Sequence, residues 1–200
     1  MLSMLDLERF RTTPLTREPF EFLVVPEFVK LEARPAIDKD YPEVGRAGSF
    51  PLREVTYGPG FAKLIEEMRS EEFRKAFEEK FNVDLTNRPD MITVRGRCSE
   101  KDGKIHTDSE TKIITILVYM NSAWESSGGQ LRLLRSGRIW KMSFWKCRRP
   151  KARCWRFGAA ITHGMGTSHS LVHVASFSST GSRARRWCGG SKIGIDFPRG

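Results

Sequence analysis

The feature that most constrains this chain is an abrupt change of composition near Gly137. Residues 1–136 carry 21 Lys and Arg against 23 Asp and Glu, whereas residues 137–200 carry 13 Lys and Arg against Asp196 alone. The net charge therefore changes from −2 to +12, and the second segment also holds four of the five tryptophans. A domain built around one core seldom changes so sharply, so we divide the chain into residues 1–136 and a basic tail of residues 137–200.

Residues 1–136 have the patterns of an α+β domain with helices first and strands after them. Two predicted helices carry apolar residues at helical spacing, and Ser70 is placed to cap the second. These stripes are Phe61, Leu64, Ile65 and Met68, then Phe73, Ala76, Phe77 and Phe81. Between Pro35 and Pro59 the many prolines and glycines predict turns. Predicted strands cover Met91 to Val94, Thr111 to Met120 and Gln130 to Leu134, which favours a jelly roll with N-terminal helices outside it.

The basic tail has no sustained apolar period. Arg148 to Arg153 is a basic run, and Ser176 to Arg186 is rich in Ser, Gly and Arg. A segment without alternation cannot complete a sheet with one buried face. We therefore expect the C-terminal strands of the jelly roll to be lost or disordered.

The triplet His106-Thr107-Asp108 is the strongest local signal for chemistry. In an extended chain, residues i and i+2 point to the same side, so the imidazole and the carboxylate converge. A third ligand from a neighbouring strand would complete a two-histidine, one-carboxylate site that leaves positions open for O₂ and a co-substrate. The triplet alone does not distinguish a metal site from a hydrogen-bonded His–Asp pair at the surface, which is the more common case, so its context has to decide.

The residues around this triplet resemble one known family. His106-Thr107-Asp108 is followed by a strand ending in Tyr119-Met120-Asn121, then by Trp124 and Gly128-Gly129-Gln130-Leu131. This order resembles the prolyl-4-hydroxylase-like branch of the Fe(II)- and 2-oxoglutarate-dependent oxygenases. The resemblance implies a double-stranded β-helix (jelly roll), Fe(II) held by His106 and Asp108, 2-oxoglutarate bound near Tyr119, and ascorbate as an auxiliary reductant.

The chain departs from that family after Gly137. The family requires a distal histidine ligand and, about nine residues later, an arginine that pairs with the co-substrate carboxylate. The tail histidines are His163, His169 and His173, and the ninth residues after them are Val172, Ser178 and Ser182. The present chain is therefore expected to hold iron weakly and to lack turnover. Measurable turnover would point to His163 or His169 as a substitute ligand.

A shifted reading frame explains this departure. When codons are chosen freely for the tail and the frame is moved back by one base, Ile161 to Ser170 can become D-N-P-W-H-G-H-Q-P-F. Leu171 to Thr180 can become A-G-P-R-R-V-V-Q-F-N. Histidine then replaces Met165 and arginine replaces Val174, nine residues apart as the family requires. We infer a frameshift within a few residues of Gly137.

The sequence argues against several other classes of function. No apolar stretch is long enough for a membrane span and no secretory signal is visible, so we expect a cytoplasmic protein without a membrane partner. The cysteines and His163 lack the spacing of a compact zinc site. Arg95 and Arg97 precede the triplet and are candidates to position an anion, although exposed arginines are the simpler interpretation.

The predicted function is that of a hydroxylase that couples 2-oxoglutarate decarboxylation to substrate oxidation and is inactive in its present form. Its substrate is a protein residue or a small molecule. The alternatives are a metal-free jelly-roll binding protein and a nucleic-acid binder acting through the basic tail. We expect no specific nucleic-acid partner, because a basic out-of-frame segment binds nucleic acid through charge alone.

Overall fold

An N-terminal helical layer and two antiparallel sheets make up the described part of the chain. The computed structural model describes residues 3–17, 21–95, 105–106, 112–120, 131–135, 158–163, 169–173 and 192–198, with side chains in 3–17, 21–95, 112–120 and at Phe197. The helices are α1 (Leu7–Thr12), α2 (Arg34–Asp40), α3 (Pro59–Met68) and α4 (Glu71–Phe81), with short 3-10 turns at Leu31–Ala33 and Leu52–Glu54. The predicted α+β class is confirmed.

Nine strands are described, and they form two sheets. They are β1 (Glu21–Pro26), β2 (Phe50–Pro51), β3 (Met91–Arg95), β4 (Ile105–His106), β5 (Lys112–Tyr119), β6 (Leu131–Arg135), β7 (Gly158–His163), β8 (His169–His173) and β9 (Lys192–Pro198). One sheet has six strands in the order β1-β7-β5-β9-β3-β2, and the other has three in the order β4-β8-β6. Among the described helices, none is long and apolar enough to cross a membrane.

Helices α3 and α4 form where the apolar spacing predicts them. The hydroxyl of Ser70 accepts a hydrogen bond from the backbone N–H of Phe73 at 3.2 Å, which caps the start of α4. Asn82 ends the helix in the left-handed conformation, with φ of 52°. All eight residues of the two predicted stripes are buried. These stripes therefore belong to the same apolar core as the buried residues of the strands.

Stacked aromatic rings hold α1 against α4. The ring of Phe77 lies 4.3 Å from that of Phe10 and 4.4 Å from that of Phe73, centroid to centroid. The side chains of all three are fully buried. Offset-stacked rings at such distances stabilise a core beyond the area that they bury.

Helix α2 lies in the segment for which the sequence predicts only turns. It packs against α3 so closely that a Cβ on Gly60 would lie 2.5 Å from the carbonyl oxygen of Ala36. The carboxylate of Asp40 accepts a hydrogen bond from the N–H of Gly60 at 2.6 Å. Asp40 thus accepts a hydrogen bond from an N–H in the first turn of α3 that has no acceptor within the helix. This contact links α2 to α3.

Both faces of the central strand β5 are covered. Ile114, Ile116 and Val118 are fully buried in the core that includes the helices. Thr115, which points to the opposite face, is only 7% exposed. The predicted strand is therefore confirmed, and its burial does not alternate, since Ile113 to Ile116 are all buried.

The expected loss of the C-terminal strands is wrong for three segments of the tail. Strand β7 pairs with β1 and β5, β9 pairs with β3 and β5, and β8 lies between β4 and β6. Hydrogen bonding between strand backbones does not depend on the charge of the side chains, so a basic segment can still pair. The tail also contains short patterns that are typical of strands. In β9, Ile193, Ile195 and Phe197 alternate with other residues, and Phe197 is buried in the common core.

Candidate active site

His106, the predicted metal ligand, lies on β4, an edge strand of the three-stranded sheet. In the antiparallel pair of β4 with β8, His106 is opposite Leu171 and Ile105 is opposite Val172. The backbone of His106 is therefore fixed at a defined register position. The other predicted ligand, Asp108, lies outside the described residues.

Two tail histidines share this sheet with His106. His169 and His173 lie on β8, two residues to either side of the Leu171 position that pairs with His106. Diagonal neighbours of this kind have Cα atoms about 7–8 Å apart. His163 lies instead on β7 in the six-stranded sheet, where it pairs with Glu21 and Ile114. Of the two substitute ligands considered from the sequence, the register brings His169 to the sheet of His106 and not His163.

The direction of β4 distinguishes the two histidines of β8. From Ile105 to His106 the opposite positions run from Val172 to Leu171, that is, toward His169. Within its described residues, β4 therefore runs toward the His169 end of β8.

Tyr119, the predicted co-substrate residue, ends β5 on the same face as Thr115. Its hydroxyl oxygen is shielded from solvent. This position agrees with the predicted inward orientation. Its role toward a co-substrate stays a prediction.

Tyr119 belongs to a row of residues that crosses three strands. It lies opposite Lys192 on β9, and Lys192 lies opposite Arg95 on β3. We call these residues the Arg95–Lys192–Tyr119 row. Lys192 could not be assigned from the sequence, because it lies in the basic tail far from any motif and reaches this row only through strand pairing.

Arg95 has the best-defined polar contacts in the row. Its Nε and Nη2 atoms donate to the hydroxyl oxygen of Ser49 at 3.2 and 2.9 Å. The hydroxyl of Tyr41 donates to the carbonyl oxygen of Arg95 at 3.3 Å. Arg95 is half-buried, so it is not a freely solvated surface arginine. Arg97 lies outside the described residues.

No group of three His, Cys, Asp or Glu side chains suited to a metal is found in the part of the chain that the structure describes. The side chain of His106 and all of Asp108 are not in that part. The candidate metal centre is therefore inferred from the register of β4 with β8 and from the residue types present there. Two imidazoles and one carboxylate form a donor set that suits ferrous iron.

Comparison with known proteins gives similarity of fold. No protein-family model and no curated protein sequence matches the chain. A prolyl 4-hydroxylase structure from Phytophthora capsici matches with a TM-score of 0.58 and 11% identity, over 100% of this chain and 67% of that one. A Pseudomonas putida prolyl-4-hydroxylase matches with a TM-score of 0.52 and 12% identity, over 97% of each chain. The chain therefore has a fold similar to that of the prolyl 4-hydroxylases.

Proposed function

We propose that this chain derives from an Fe(II)- and 2-oxoglutarate-dependent dioxygenase that hydroxylates its substrate. The observation that carries the proposal is the position of His106. The histidine of an H-x-D triplet lies on a small antiparallel sheet, within a chain whose fold is similar to prolyl 4-hydroxylases over its whole length. In this proposal the six-stranded and three-stranded sheets are the two halves of a double-stranded β-helix.

The metal site in this proposal uses His106, Asp108 and one histidine of β8. We assign His169 as the third ligand of the present chain, because β4 runs toward the His169 end of β8. Neutral imidazole and carboxylate ligands on neighbouring strands would leave positions open for O₂ and 2-oxoglutarate. When bound, the iron and its co-substrate supply the oxidising power for hydroxylation, while Tyr119 orients the co-substrate through its buried hydroxyl.

Turnover requires more than this metal site. An arginine that pairs bidentately with the distal carboxylate of 2-oxoglutarate is absent from the position where the resemblance requires it. A frameshift near Gly137 accounts for this absence and for the change of net charge from −2 to +12. We propose that the active protein carries histidine in place of Met165 and arginine in place of Val174, and that the present chain retains metal binding without turnover.

The substrate in this proposal is a protein residue or a small molecule that fits between the two sheets. A cytoplasmic location and an ascorbate requirement belong to the same proposal. A metal-free binding protein of the same fold is the outcome if the His106 site binds no metal.

The experiment that tests the metal site is a titration of the present chain with Co(II), whose absorption reports coordination. Wild-type protein should bind one Co(II), and His106→Ala should weaken binding by at least about tenfold. His169→Ala should have a similar effect. The matched control is His163→Ala, which removes a histidine from the other sheet and should leave Co(II) affinity unchanged.

Each outcome of this titration has a distinct meaning. Equal affinity in wild type and His106→Ala would contradict the proposed function. Loss in His106→Ala but not in His169→Ala would retain the iron site and reject His169 as its third ligand. Loss in His163→Ala would show that the register of β8 does not determine the ligand set.

A further inference from the structure

We draw no further inference here: the strongest candidate, the basic segment with three tryptophans between β6 and β7 (residues 138–156), lies outside the described residues, so its charge alone carries no binding site.

Discussion

The helical layer and the basic tail are built into the same core in different ways. In the helical layer, side chains decide the position of each element: Phe77 stacks on two rings, Asp40 caps α3, and Ser70 caps α4. In the tail, the described segments take their places through main-chain pairing with β1, β3, β4, β5 and β6. Phe197 is the tail side chain that the structure describes, and it is buried in the core.

Strand pairing and side-chain packing are separate contributions to a fold. Backbone N–H and C=O groups pair whatever side chains they carry, so a segment of unsuitable composition can still occupy a gap between strands. A uniquely packed core requires in addition that apolar side chains fit together.

The largest expected effect on stability is that of Phe77→Ala in the helical layer. The side chain of Phe77 is fully buried between Phe10 and Phe73, so its removal leaves a cavity and two unstacked rings. The free energy of unfolding should fall by about 3–5 kcal/mol, measured by urea denaturation. Lys75→Ala on the same helix is the control, because Lys75 is exposed and forms an ion pair with the exposed Glu71. A loss below about 1 kcal/mol in Phe77→Ala would contradict the packing of α4.

A smaller effect is expected for Phe197→Ala in the tail. Phe197 is 6% exposed and pairs with Ile114 across β9 and β5. If β9 belongs to the folded core, the free energy of unfolding should fall by about 2–3 kcal/mol, less than for Phe77→Ala because its truncation opens the core at a strand end. Met91→Ala is the control, since Met91 is exposed on the neighbouring strand β3. An unchanged midpoint in Phe197→Ala would show that the tail contributes nothing to the core.

The helical layer could be predicted in part from the sequence. Apolar spacing and the Ser70 cap predict α3 and α4, because these signals are local. Helix α2 was missed since its seven residues include Pro35, which marks turns but is also tolerated in the first turn of a helix. Tertiary packing, with Ile37 and Arg34 buried, stabilises this short helix, and local sequence does not reveal such packing.

The candidate site could likewise be predicted only in part from local sequence. His106 and Asp108 were predicted because the residues around the triplet resemble a known family, in addition to a spacing that places both on one side of an extended chain. His169, the third ligand that we propose, could not be assigned in this way, because its position near His106 results from the pairing of strands that are distant in sequence. The tail strands were missed because basic composition outweighed the short alternation of Ile193, Ile195 and Phe197.

We propose that the second half of the iron site is encoded in the neighbouring reading frame of the tail. The most direct test measures succinate formed from 2-oxoglutarate, with Fe(II) and ascorbate, by the present chain and by a version with the frame restored near Gly137. The restored protein should form succinate and lose this activity on His106→Ala or Asp108→Ala, and the present chain should not exceed its own His106→Ala background. A restored protein that forms no succinate and binds no Fe(II), with a gene whose nucleotide sequence shows the present frame intact, would contradict the account.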